Sequence, residues 1–227
     1  MPGSFEKLQK IIQYQFNDLS ILRQALTHKS HSATNNERLE FVGDAVLGYL
    51  VGVDLYNNFQ HLQEDNLSLM RSKLVRGTTL AEIANEINLG EYLLVGEGER
   101  KSGGRKRASV LANALEALIG AVHQDGGIEP CQKLVKLLFA QRMHQIDLAQ
   151  LKDAKTQLQE LLQSKKMKLP IYQVEQTLGE EHSRVYEVSC SISEQECFTL
   201  GSASSRREAE KLAASQALQI LAEKGLT

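Results

Sequence analysis

Up to about Met143, apolar residues return every three or four positions, the spacing of helices that bury one face. "FEKLQKII", "SILRQALTH", "NERLEFVGDAVLGYLV", "LSLMRSKLVRGTTLAEIANEI", "SVLANALEALIGAVHQDGG" and "CQKLVKLLFAQRM" all follow this pattern. Breaks fall at Gly90, at Gly103-Gly104 and at Gly126-Gly127, where helix stops belong. The pattern predicts an all-α domain over residues 5–127, with a helical extension to about 146. Residues 147–153 are polar and aperiodic and read as a linker.

The pattern then changes. "KTQLQELLQSKK" is a helix with Leu158, Leu161 and Leu162 inward, and "IYQVEQTLG" and "ECFTLGS" read as strands. Between them "RVYEVSCSI" alternates, with Tyr186, Val188, Cys190 and Ile192 on one face and Glu187, Ser189 and Ser191 on the other. A last helix opens at Ser205, with Glu208 completing a capping box, and its predicted inner face is Ala209, Leu212, Ala213, Ala217 and Ile220. The order α-β-β-β-α over residues 154–224 predicts a small α+β domain with two helices on one face of a three-stranded antiparallel sheet. The fold class is therefore multidomain, all-α followed by α+β.

One feature of the helical half resists a purely structural reading. Glu37, Glu40 and Asp44 stand three and four residues apart on one face of a largely apolar helix. Thr34-Asn35-Asn36-Glu37 is a capping box, which accounts for Glu37 as a first-turn carboxylate. Glu40 and Asp44 lie deeper, and either salt bridges or a ligand must offset their repulsion. The more apolar "SVLANALEALIGAV" carries Asn113 and Glu116 one turn apart. Two such helices facing each other would gather oxygen ligands without His or Cys, the set preferred by a hard divalent cation such as Mg²⁺ or Mn²⁺.

The formal charge of −2 conceals basic clusters at Arg100–Arg107, Lys165–Lys168 and Ser204–Lys211. The first of these, "RKSGGRKR", reads as a mobile solvated loop, with an RNA grip as the alternative. Cys131, Cys190 and Cys197 are odd in number without metal-ligand spacing, as expected for reduced thiols in a cytosol. The first residues lack the apolar core of a signal peptide, and no run approaches a membrane span. A cytoplasmic location, no membrane partner and no organic cofactor are expected.

"NERLEFVGDAVL" resembles the signature segment of bacterial ribonuclease III, and "ALTHKS", "LVRGTTLAEIA" and "SVLANALEALIGA" resemble flanking blocks of its nuclease domain. "TQLQELLQ" and "GSASSRREAEKLAA" resemble its double-stranded-RNA-binding domain, so the likeness covers nearly the whole chain in the family's order. The resemblance implies that Glu40, Asp44 and Glu116 are metal ligands at a cleavage centre, and that Glu37 and Glu64 line the catalytic valley near a dimer interface. Phe41 matches an aromatic that packs against the partner subunit, with intrasubunit core as the alternative. Asn113 stands where the family commonly has Asp; its amide oxygen can still ligate, with one negative charge fewer.

Duplex RNA is read through its shape, 2′-hydroxyls and phosphates. By the same resemblance Thr156, Gln157, Glu160 and Gln163 face a minor groove, and His182 enters the next one. Ser204, Ser205, Arg206, Arg207 and Lys211 meet phosphate, although Ser205 is equally explained as an N-cap. The family implies a homodimeric, Mg²⁺-dependent endonuclease on double-stranded RNA, with Mn²⁺ able to substitute. Its products carry 5′-phosphate and 3′-hydroxyl ends with short 3′ overhangs, and its substrates are ribosomal-RNA precursors and structured messengers. The rival expectation is a double-stranded-RNA-binding protein whose nuclease half is weakened or only structural.

Overall fold

A computed structural model describes residues 4–146, 153–179 and 184–226. The chain divides into two compact units, Met1–Ile146 and Asp147–Thr227. Most of the predicted linker, residues 147–152, and His182 lie outside the described residues.

The first unit is helical: α1 (Phe5–Ile11), α2 (Leu19–Ala25), α3 (Glu37–Asn58), α4 (Glu64–Val75), α5 (Gly77–Glu86), α6 (Glu97–Lys101), α7 (Ala108–Gly126) and α8 (Ile128–His144). Helix α7 is its centre. Its run of Val110, Leu111, Leu115, Leu118, Ile119 and Val122 is buried, as a helix covered on most sides must be apolar on most sides. The chain before α2 is tied to the end of α7 by Asp125, which accepts from the Tyr14 hydroxyl at 2.6 Å and from the backbone N–H of Asn17 and Asp18. The segment Leu26–His28 is stitched to Leu94 by backbone bonds on both sides, so "ALTHKS" is held against the connection between α5 and α6.

Two local expectations need correction. The periodic run through "LSLMRSKLVRGTTLAEIANEI" is two helices, interrupted at Arg76, whose backbone is extended (φ −68°, ψ 148°). Periodicity survives the break because both pieces bury a face, and the Thr79 hydroxyl satisfies the Lys73 carbonyl freed by it. The capping box expected at Thr34 does not form either. Helix α3 starts at Glu37, whose N–H is satisfied by the Asn35 side-chain oxygen at 3.0 Å.

The second unit runs α9 (Ala154–Ser164), β1 (Ile171–Leu178), β2 (Val185–Ile192), β3 (Cys197–Ala203) and α10 (Arg206–Glu223). The antiparallel sheet has the order β1-β2-β3, with Cys190 opposite both Tyr172 and Thr199. Asp153 caps α9 by accepting from Thr156 N–H, and Ser205 caps α10 by accepting from Glu208 N–H. The core joins Leu158, Leu162, Cys190, Ile192, Cys197, Ala213, Ala217 and Leu221. Leu212, expected inward, is 47 % exposed, and Ile220 is half-buried. The phase of α10 is set by its closest approach to β3, where a side chain on Gly201 would overlap the Ala209 carbonyl and Thr199 donates to the Ala213 carbonyl. Positions 209, 213, 217 and 221 therefore face the sheet, with Ala214 beside them.

All three cysteines are buried free thiols. Among the described residues, no helix is long and apolar enough to cross a membrane.

Candidate active site

The site is built on a helix crossing. Gly43 of α3 and Gly120 of α7 meet backbone to backbone. A methyl built on Gly43 would overlap the Glu116 carbonyl oxygen, and one built on Gly120 would overlap that of Leu39. Only residues without side chains allow helices this close, and the contact brings the acidic stripe of α3 against Glu116 of α7.

The electrostatics record the juxtaposition. The Glu116 carboxyl is pushed up to about 7, first by burial and then by the charges of Asp44 and Glu40. Burial also raises Glu40, with Glu37 and Asp44 adding to the effect; a hydrogen bond from the Asn113 side chain and the charge of Lys29 oppose it, and the net direction is upward. Glu40 and Glu116 are half-buried, whereas Asp44 and Asn113 are exposed. Glu40, Asp44, Asn113 and Glu116 are thus brought into one neighbourhood. Among the described residues, however, no three His, Cys, Asp or Glu side chains are placed to hold a metal ion together.

A cleft of about 410 Å³ opens beside this neighbourhood, lined by His28, Lys29, Glu37, Glu40, Glu99, Arg107 and Asn113 among others. Glu37 stands at its mouth, exposed and accepting from Lys29 at 3.0 Å. The basic run at residues 100–107 is not the loose loop expected. It forms the end of α6 and a 3₁₀ turn at Gly104–Lys106, and Gly104 packs on the Glu99 side chain. Arg107 Nη1 lies 2.8 Å from Glu99 Oε1, an ion pair by distance whose angle falls short of a hydrogen bond. Lys29 was missed by sequence reasoning, since nothing in its local pattern sets it apart from surface cations, whereas Arg107 ends the basic run for which an RNA grip was the alternative. Glu64 does not line this cleft: it opens α4 and accepts from Ser68. A second cleft of about 330 Å³, near Arg76 and Arg142, contains none of these carboxylates, and its Arg142 is bound bidentately to Glu86.

Phe41 points away from the crossing and is 79 % exposed; Ala45, Tyr49 and Tyr56 are exposed on the same side of α3. In the second unit, Thr156 and Gln163 are exposed along α9, with Gln157 half-buried and Glu160 exposed between them. Ser204, Ser205, Arg206 and Arg207 are exposed at the start of α10, and Ser205 serves there as N-cap. Arg206 is bonded to Glu210 and Lys211 to Glu208.

Comparison with known proteins agrees with both halves. A family model described as Ribonuclease-III-like matches residues 18–143, and one for the double-stranded RNA binding motif matches residues 154–221. Relatives named Ribonuclease 3 include one from Nitrosococcus oceani, 45 % identical over 97 % of this chain and 96 % of its own. Another, from Chromobacterium violaceum, is 47 % identical over 97 % and 94 %. The crystal structure of the nuclease domain of ribonuclease III from Campylobacter jejuni superposes with a TM-score of 0.60 at 43 % identity, covering 63 % of this chain and 99 % of that domain. A further structure of that domain is described by structural flexibility in a region involved in dimer formation (TM-score 0.59, 42 % identity, 60 % of this chain and 97 % of that one). An acidic helix crossing, a following α-β-β-β-α unit and relatives matched over nearly the full length converge: the chain belongs to the ribonuclease III family, with a nuclease domain followed by a double-stranded-RNA-binding domain.

Proposed function

We propose that this protein is a Mg²⁺-dependent endoribonuclease that hydrolyses both strands of double-stranded RNA, leaving 5′-phosphate and 3′-hydroxyl ends with short 3′ overhangs. The observation that carries this reading is the glycine crossing that sets Glu40 and Asp44 against Glu116. The donors suit the ion. They are hard oxygens in a field of mutual repulsion, and Mg²⁺ needs only one or two carboxylates besides its waters. Glu40, Asp44, Glu116 and the Asn113 amide oxygen would hold it, and Mn²⁺ would substitute. Bound there, the cation would supply Lewis-acid charge at the scissile phosphate and a more acidic water.

The chain's own groups do the rest. The Asn113 side chain lies beside Glu40 and favours its charged form. Lys29, held by Glu37, and Arg107, held by Glu99, place positive charge at the cleft where RNA phosphate enters. In the second domain the polar face of α9, Arg207 at the start of α10 and His182 hold the duplex. The proposed substrates are ribosomal-RNA precursors and structured messengers, and the proposed location is the cytoplasm. Purified protein incubated with long duplex RNA should yield short fragments in Mg²⁺ and none in EDTA. Binding without cutting in Mg²⁺ would instead favour a double-stranded-RNA-binding protein with a weakened nuclease, the reading that Asn113 supports.

Cutting both strands calls for two centres related by a two-fold axis, hence a homodimer. The exposed stripe Phe41, Ala45, Tyr49 and Tyr56 supports this, because an apolar face of that length is unusual on a lone domain. Glu64, outside the cleft of one protomer, is assigned to the valley completed by association. Phe41→Ala removes about 2–3 kcal/mol of burial from each protomer. Doubled by symmetry, that weakens association by roughly 10³- to 10⁴-fold. Sedimentation across a concentration series measures it, and an unshifted monomer–dimer midpoint would place Phe41 outside the interface.

Asn113→Asp adds a formal charge beside Glu116 but replaces the amide that bonds Glu40, so repulsion offsets most of the gain. The expected net effect is about 1 kcal/mol, a several-fold drop in the Mg²⁺ concentration for half-maximal cleavage. Superimposable Mg²⁺ titrations for the two proteins would put Asn113 away from the ion.

A further inference from the structure

Glu210 sits in the second turn of α10, on the helix that opens with Arg206 and Arg207. It is 8 % exposed, the most buried carboxylate of the second unit among the described residues. A carboxylate is costly to bury unless cations accompany it. Two do. Its Oε2 accepts from Lys155 Nζ at 2.6 Å, and its Oε1 accepts from Arg206 Nε at 2.9 Å. Lys155 also lies 4.6 Å above the Tyr172 ring, a cation–π contact that holds it over the sheet. Burial pushes the Glu210 carboxyl up, and the two cations more than reverse this, leaving it below the ordinary carboxylate range.

The neighbouring cations differ in kind. Lys211 is tied to Glu208 at 2.9 Å, whereas Arg207 is exposed and, among the described residues, makes no ion pair or hydrogen bond. Among the described residues, of Lys155, Arg206, Arg207 and Lys211 only Arg207 presents an unshared charge to an incoming phosphate. A guanidinium already bonded to a buried carboxylate must break or share that bond to neutralise RNA, and releases fewer counterions.

We infer that Glu210 restrains duplex affinity: it engages Lys155 and Arg206 in ion pairs, so that Arg207 carries the phosphate contact at the start of α10. The inference rests on the reading of this face as duplex-binding. It makes Glu210 a positioning residue that sets how firmly the enzyme retains RNA, without touching RNA itself. A loosely held duplex leaves quickly, which favours release after cleavage.

The test is binding of the full-length protein to a duplex of about 30 base pairs in EDTA, with Kd measured across a salt series for Glu210→Gln, Arg206→Ala, Arg207→Ala and the Glu210→Gln/Arg206→Ala double variant. Glu210→Gln should lower Kd about three- to tenfold and steepen the salt dependence by about one, as each added phosphate contact contributes roughly 0.9. Arg206→Ala should change Kd less than about twofold in the wild-type background and should cancel the gain in the Glu210→Gln background. Arg207→Ala should weaken binding and flatten the slope by about one. An unchanged Kd and slope for Glu210→Gln, or equal losses for Arg206→Ala and Arg207→Ala, would overturn the inference while leaving the duplex-binding reading intact. Absence of wild-type binding at every salt concentration would sink both. Should Glu210→Gln lack a cooperative melting transition, the Arg206 and Arg207 comparison decides alone.

Discussion

Asp44→Ala and Glu116→Ala are expected to lower cleavage of duplex RNA by roughly 10³-fold while leaving duplex affinity almost unchanged. The two functions separate because the proposed RNA grip lies mainly in the second domain, while Asp44 and Glu116 stand at the crossing of α3 and α7. Gel shifts in Ca²⁺ beside cleavage assays in Mg²⁺ measure both. Binding lost in step with cutting would mean that these carboxylates organise the fold or the RNA rather than the chemistry.

Glu116→Gln offers a readout that needs no RNA. Its carboxyl is raised from 4.5 to about 7, by burial first and by Asp44 and Glu40 next. Between those values the native state binds a proton that the unfolded chain has released. Stability of the metal-free protein therefore falls as pH rises through that window, and above it the loss is complete. The shift corresponds to at most about 3 kcal/mol, reduced to roughly 1–2 kcal/mol because the group is partly exposed. In EDTA at pH 8 Glu116→Gln should thus melt higher than wild type, and Mg²⁺ should raise the wild-type transition but barely move that of the variant. A variant that melts lower in EDTA would show that Glu116 is not under electrostatic strain.

The second large effect is expected from a residue with no functional group. Gly43→Ala should destabilise the first domain by about 3 kcal/mol, although Gly→Ala inside a helix ordinarily stabilises. The added methyl meets the Glu116 carbonyl and comes to 3.0 Å from the Gly120 nitrogen; both are backbone, so the helices must separate. Glu40 and Asp44 move with α3, and a displacement of about 1 Å at a catalytic centre costs roughly 10²-fold in rate. Gly48→Ala is the control. Nothing lies within 4 Å of that position, so it should be neutral or gain about 0.5–1 kcal/mol. Urea unfolding and cleavage rates on both variants check the pair; equal stability of Gly43→Ala and wild type would remove the crossing as the element that assembles the site.

Much of this was legible in the linear pattern. The alternation of Tyr186, Val188, Cys190 and Ile192 placed β2 correctly, and Ser205 with Glu208 located the start of α10. Local rules succeed where one buried face or one cap decides the outcome. They failed at Arg76, where two helices with a common apolar period run into each other, and at Leu212, where a methyl-free contact at Gly201 overrode the phase that hydrophobicity favoured.

The sequence by itself determined the two domains, their element order and the presence of carboxylates that a core helix has no reason to carry, because each follows from periodicity or from the cost of burying charge. Tertiary structure alone decided which charges face one another. Gly43 and Gly120 are far apart in the chain, yet their contact is what couples Glu116 to Asp44 and Glu40. Lys155 and Glu210 likewise lie on different helices, and neither shows in the local pattern that it is bound to the other. Electrostatic interaction depends on distance through space and on burial, and a linear pattern specifies neither until the helices pack.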